Sequence, residues 1–392
     1  MTPERAAIAE VEQRVSAIRG LPWKAPLDVQ LVSAEELARR VREFTVKDFA
    51  EKQDQIVGEE AALKLLGLVP PALDYRKTLE DLFAGGVLGF YDDETKELFV
   101  KDDTGPGLSP ATKGTLAHEL THALTDQHFD FGPRLDQLDQ DGRTEEVAGG
   151  IALIEGDAEL VRSLYIDRYL NDADRGEADS SDAEGPSPYA RVPSYLVQSL
   201  LFPYTEGLTF VESLYRRGGF GAVDAAYRAA PTSTEQILHP QRYAAGDATA
   251  AVTLPDLSAA IGCSRLETGA LGEFDMRQVL RERLASADSE RAAAGWDGDA
   301  FELMRCGTVP AMADRWQAES PAEATELADA LARWSSGWSG SGRRPGPDGR
   351  FAGPSGSGRV LRSGNRVDLV LARDAVTAGR LEAVLFPAGA PA

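Results

Sequence analysis

Cysteine is scarce in this chain of 392 residues, with only Cys263 and Cys306 present. Neither has a second cysteine or a histidine close enough to read as a metal knuckle. One disulfide in an exported protein and two buried thiols in an internal one fit the pair equally well, so the cysteines leave the compartment open. Long apolar runs are also lacking. None approaches the roughly 20 residues that a membrane-spanning helix needs. The opening residues, Met1-Thr-Pro-Glu-Arg5, start a charged helix instead of the apolar segment of a signal peptide, and the expectation is a soluble chain with no visible address. Positive charge is in short supply, with 41 Lys and Arg against 63 Asp and Glu and a formal net charge of −22. That field repels polyanions, so nucleic acid is not an expected partner, while cations and basic substrates stay open. No tandem repeat of fixed period is visible.

What is present is enough apolar material, 43% of residues, for a globular core, at a length that allows two or three domains. Leu27–Val32 alternates like a half-buried strand, and Ser33-Ala-Glu-Glu36 reads as a capping box opening a helix. A helical pattern runs from Val46 to Leu68 and stops at Pro70-Pro71, and another covers Asp74 to Phe83. Gly86–Tyr91 and Glu97–Val100 flank a polar turn and predict a β-hairpin. Ser109-Pro110 is a strong helix start, with the pattern continuing to about Asp126. A further long helix is predicted from about Glu145 to Leu170, followed by an acidic surface loop from Asn171 to Pro188. Helical patterns resume at Tyr195–Leu201, Thr205–Arg216 and Ala222–Ala229. Beyond Trp296 the character changes: a strand at Ala300–Met304, a helix at Pro321–Trp334, a Gly/Ser/Pro-rich stretch over 335–358, and a hairpin around Ser363-Gly-Asn365. The expected organisation is α+β, with a catalytic region over 1–295, predominantly helical with a small sheet, and a small α+β accessory domain over 296–392.

The chemistry concentrates in His118-Glu-Leu-Thr-His122, an H-E-x-x-H pattern inside a well-capped helix. Positions i and i+4 of a helix lie about 40° apart on its wheel, so both imidazoles can reach one zinc ion. Glu119 lies about 60° from His122 and can border the metal without binding it, which is the general-base position. Leu116, Leu120 and Leu124 form the opposite stripe and should anchor the helix in the core.

A catalytic zinc needs a third protein ligand, and the sequence offers two. His128 has the metzincin spacing, but the glycine which that pattern needs for a sharp exit from the helix is replaced by Thr125, and Met276 makes a poor methionine turn. Glu155, in Ala152-Leu-Ile-Glu-Gly-Asp-Ala-Glu159, is the stronger choice, because Gly156 allows close helix approach and Ala148, Ala152 and Ala158 keep that side small. Glu159, one turn later, either accepts from the far nitrogen of a ligating histidine or pairs with Arg162 on the helix surface.

This combination, H-E-L-T-H followed on a second helix by E-G-D-A-E, resembles the gluzincin clan of zinc metallopeptidases. The wider string, from Gly89-Phe-Tyr-Asp92 through Phe202-Pro-Tyr204 to Ser233–Pro240, is similar to a group of bacterial zincin-like proteins. The resemblance implies a zincin fold, peptide or protein substrates, His118, His122 and Glu155 as zinc ligands, and Glu119 as base. It also implies an oxyanion helper, for which His239, Tyr243 and Tyr204 are the candidates, His239 ranking first on chemistry. The strand at Gly86–Tyr91 is either the rim of the cleft, binding an extended peptide by strand addition, or an ordinary sheet strand. A zinc-holding scaffold without turnover and a zinc hydrolase of non-peptide amides or esters are the rival readings.

Overall fold

A computed structural model describes residues 2–102, 107–180 and 189–387. The chain is mixed α+β. Its first part contains α1 (Pro3–Arg19), β1 (Asp28–Val32), α2 (Ala34–Glu51), α3 (Gln53–Leu66), α4 (Tyr75–Gly86), β2 (Gly89–Asp92), β3 (Glu97–Lys101), α5 (Pro110–Phe129), α6 (Gly132–Gln140), α7 (Thr144–Tyr169), α8 (Asp172–Ser180) and α9 (Ser194–Arg228). Three short helices follow, α10 (Thr234–Leu238), α11 (Pro240–Ala245) and α12 (Leu257–Ile261). The last part comprises β4 (Ser264–Gly269), α13 (Gly272–Arg281), α14 (Ser286–Ala293), β5 (Trp296–Cys306), β6 (Val309–Ala318), α15 (Pro321–Trp338), β7 (Arg350–Gly353), β8 (Gly356–Ser363), β9 (Arg366–Ala372) and α16 (Ala375–Leu385). No helix among the described residues is long and apolar enough to cross a membrane.

Two sheets organise these elements. The first has the order β1-β3-β2, with β1 parallel and β2 antiparallel to β3. Leu98 and Val100 of β3 bury with Val11 and Val15 of α1 and with Leu116, Leu120 and Leu124 of α5. The leucine stripe predicted to anchor the motif helix does so, and each of its three members is fully buried. The second sheet, order β4-β5-β6-β9-β8-β7, is antiparallel throughout. Its side chains alternate between faces as the pleat requires. Leu303, Met312, Leu369 and Leu371 join Trp334 of α15 and Leu65 of α3 in one cluster. Met304, Ala311, Ala313 and Val370 join Leu381 of α16 and Leu257 of α12 in another. This sheet takes its first strand from Ser264–Gly269, upstream of the expected boundary at 296.

Several local expectations are revised by packing. The helix expected from Val46 to Leu68 is broken at Lys52, because α2 packs against α4 and β3 while α3 turns to pack on β4 and β6. The first half of the expected acidic loop is α8, started by the Asn171 side chain accepting from the amides of Ala173 and Asp174. Residues 181–188 lie outside the described residues. Phe202-Pro-Tyr204 interrupts nothing: α9 runs through Pro203 and kinks at Gly218-Gly219. The Gly/Ser/Pro-rich stretch is in part regular structure, since α15 continues to bury Trp338 and, after an irregular segment, the chain enters β7 and β8. Cys263 and Cys306 form a disulfide with a Cα–Cα separation of 4.6 Å, joining the start of β4 to the end of β5.

Candidate metal centre

The helix that carries the motif is built as its caps direct. The Ser109 hydroxyl accepts from the Thr112 amide at 3.0 Å, and Pro110 occupies the first turn, where its missing N–H costs nothing. With the leucine stripe turned into the core, His118 and His122 point the other way, towards α7. Nε2 of His122 lies 3.0 Å from Nε2 of His118. Oε2 of Glu155 lies 3.1 Å from the His118 Nε2 and 3.3 Å from the His122 Nε2. Three donor atoms from two helices thus converge, and His118, His122 and Glu155 form the one such metal-ligand group found among the described residues.

The donor set fits a small cation. Donors held about 2.0–2.2 Å from a tetrahedral zinc stand about 3.3–3.6 Å from one another, close to the separations here. Two imidazole nitrogens facing each other cannot both donate, whereas both can offer a lone pair to a shared positive charge. The electrostatics point the same way. Burial opposes charging of His118, yet Glu155 and Glu159 outweigh it and hold the imidazole up at about 10. Burial likewise opposes charge on Glu155, but the two histidines hold its carboxyl well below the usual range. Glu155 and Glu159 thus set negative charge on both sides of the His118 ring.

On the far side of His118, Nδ1 lies 3.0 Å from Oε1 of Glu159, and Glu159 also faces Arg162 at 3.4 Å. Glu159 thus pairs with Arg162 and also stands beside the far nitrogen of His118. The carboxylate sits off the ring's N–H axis, so it steadies the ring electrostatically more than through an aligned hydrogen bond.

Glu119 is buried beside this group without belonging to it. Burial raises its pKa, opposed by His118, His122 and the Tyr91 backbone amide. Strand β2 crosses directly over it at Gly89, where a Cβ would meet the Glu119 Cγ at 2.7 Å and the Thr115 Cγ2 at 2.9 Å. The hairpin is tied down at Asp126, which accepts from the Tyr91 hydroxyl at 2.7 Å and from Lys96 at 2.6 Å.

Helix α7 is held from behind. Gly156 gives close approach, though to α9 and not to α5: a Cβ on Gly156 would fall 2.2 Å from the carbonyl oxygen of Gly207, and one on Gly207 would fall 2.2 Å from that of Ala152. Ala152 therefore also faces α9. Asp157, fully buried, accepts from Arg19 Nε at 3.0 Å and from the Tyr227 hydroxyl at 3.1 Å, which locks α1 and α9 onto the turn that carries Glu155.

The group opens into a cleft of about 460 Å³ whose walls are strongly apolar, with Phe44 and Phe49 of α2, Phe83, Phe90 and Phe131 among them. Tyr204 lines it, its ring stacked on His118 with centroids 6.0 Å apart and planes 20° from parallel, and Tyr227 lines it as well. His239 and Tyr243 do not. The His239 Nε2 lies 3.0 Å from Glu273, and the Tyr243 hydroxyl donates to the Ala229 carbonyl at 2.7 Å, so the short helices α10 and α11 spend both side chains on packing. His128 is turned to the Pro22 carbonyl at 2.8 Å, outside the cluster. Sequence reasoning missed Tyr227 and the aromatic wall of α2, because both reach the cleft from helices remote in sequence and no local motif marks them.

Residues 261–384 match a family described as Domain of unknown function (DUF8575). That span covers the second sheet with α13, α14, α15 and nearly all of α16, and excludes the His/Glu cluster. No curated protein and no solved structure matches the chain.

Proposed function

We propose that this chain is a zinc-dependent metallopeptidase of the gluzincin kind, with a zincin catalytic fold, acting on peptides or proteins. The observation that carries the reading is the convergence of three donor atoms at 3.0–3.3 Å with a buried, non-ligating carboxylate next to them. A purely structural site gains nothing from Glu119. His118, His122 and Glu155 would hold the ion, and Glu159 would steady His118 from behind. Bound zinc supplies a Lewis acid that polarises a scissile carbonyl and acidifies water.

The remaining work belongs to the chain. Glu119, desolvated between β2 and α5, takes a proton from the attacking water and returns it to the leaving nitrogen. Tyr204, stacked on a ligand in the cleft, is better placed than His239 or Tyr243 to donate to developing negative charge. The cleft's aromatic walls favour substrates with bulky apolar side chains and exclude water from the reacting groups. Net negative charge argues against nucleic acid as a substrate.

The test is a broad peptide library offered to zinc-loaded wild type and to Glu119→Gln. Wild type should cleave, a chelator should stop it, and the substitution should lower turnover by about two to four orders of magnitude while zinc stays bound. Cleavage of simple esters or amides alone would keep the zinc chemistry and reject the peptidase label. A zinc-loaded protein that cleaves none of these substrates would turn the site into a scaffold.

A further inference from the structure

A second cavity, of about 580 Å³, lies at the seam where α3 and the start of α9 meet the second sheet and its helices, and it shares no lining residue with the cleft. Among the described residues four cations line it, Lys64, Arg191, Arg283 and Arg373, and one carboxylate, Glu282. Lys64 is paired with Glu60 at 2.6 Å, and Glu282 faces Arg283. Arg191 and Arg373 have no carboxylate partner among the described residues, and neither Arg191 nor Arg283 makes a salt bridge there. In a chain with 22 excess negative charges, the described lining of this cavity is net positive.

The cavity is also structured. Arg373 gives its donors to the carbonyls of Ser355, Lys64 and Leu65 and lies 5.2 Å from the Trp338 ring centroid, so its position is set while its charge remains unneutralised. Trp338 is fixed by its own Nε1, which donates to the Leu65 carbonyl at 2.7 Å. The Arg283 side chain lies over Gly337, where a Cβ would meet its Cδ at 3.0 Å and its Nε at 3.5 Å, so α15 supports an arginine that lines the cavity. Pro70 and Pro71 give a stiff apolar wall.

We infer that this cavity binds a small phosphate-bearing molecule, the phosphate held by Arg191 and Arg283 with Arg373 behind them, and the body of the molecule against Trp338 and Pro70-Pro71. Planar guanidinium forks match phosphate oxygens in pairs, and one dianionic group offsets two arginines where a carboxylate offsets one. The cavity exceeds what a bare phosphate fills, which leaves room for an organic portion.

Calorimetric titration at constant ionic strength tests this with three probes, inorganic phosphate, pyrophosphate and AMP. Saturable one-site binding is expected, with AMP tighter than phosphate if the ester's body is recognised and no tighter if the free anion is the ligand. Arg191→Ala combined with Arg283→Ala should weaken binding at least tenfold, while Arg283→Lys, which keeps charge and loses the fork, should fall between. Arg5→Ala, an exposed change elsewhere, should alter nothing. Unfolding midpoints recorded on each variant establish that the fold persists. Failure of all three probes to saturate overturns the inference, and so does undiminished binding in the folded double variant, which would transfer the anion to another place such as the metal centre.

Discussion

Gly89 and Glu119 stand so close that a single methyl group cannot be placed between them: a Cβ at position 89 would lie 2.7 Å from the Glu119 Cγ. The contact is with the stem of the glutamate and not its flexible end, so relief requires β2 or α5 to move. Gly89→Ala should cost about 1–3 kcal/mol of stability through overpacking and should displace the carboxylate from its place beside His118, His122 and Glu155. Denaturant unfolding checks the first effect, and turnover at saturating zinc checks the second. A variant with wild-type stability and rate would show that the strand is not seated on Glu119.

The ligand assignment separates residues that all look plausible in sequence. Glu155→Gln should weaken metal binding strongly, and Glu159→Gln should weaken it about 10–100-fold by releasing His118. His128→Ala should leave affinity unchanged, since its ring is occupied by the Pro22 carbonyl. Metal competition assays on the three variants give the ranking. Loss of zinc in His128→Ala with retention in Glu155→Gln would favour a metzincin-like site.

The Cys263–Cys306 disulfide closes a loop of 43 residues, which in the chain-entropy picture stabilises the fold by about 2–4 kcal/mol. Reduction, or replacement of both cysteines by serine, should lower the denaturation midpoint accordingly. Free-thiol titration of the unfolded, unreduced protein should find none. Two reactive thiols, or an unchanged midpoint after reduction, would contradict the bridge.

Stability should rise as pH falls from about 8 towards 5. Burial pushes the Glu235 carboxyl up to about 8 and those of Glu267 and Asp275 up to about 7, the latter two helped by the charge of Glu59. Because these folded-state values exceed the unfolded ones near 4, the folded chain keeps protons that the unfolded chain releases. Their contribution is complete below the unfolded values and is lost as pH rises through 7 to 8. Thermal unfolding at several pH values checks the slope. Asp275→Asn, which keeps an acceptor for the Tyr195 hydroxyl, should flatten it. A midpoint higher at pH 8 than at pH 5.5 would mean that these groups do not govern the pH response.

What the residues determine by themselves is local. Ser109-Pro110 starts a helix, the leucines at 116, 120 and 124 orient it, and the i, i+4 spacing puts two imidazoles on one side, all through short-range geometry that any tertiary context inherits. The sequence likewise marks parts of β5 and β9 as strands, whereas β6 was not anticipated and its place between them is set by the sheet. Tertiary structure decided the rest. Glu155 meets the histidines because the Gly156–Gly207 crossing and the buried Arg19–Asp157 pair set the height of α7, and these are contacts between α1, α7 and α9, far apart in the chain. Tyr204 reached the cleft while His239 and Tyr243 did not, since α9 runs straight through Pro203 and brings its aromatic against His118, whereas the later short helices turn theirs onto their own scaffold. Side-chain type says what chemistry a residue can do, but only the packing of distant helices sets which of several equal candidates arrives within reach of the site.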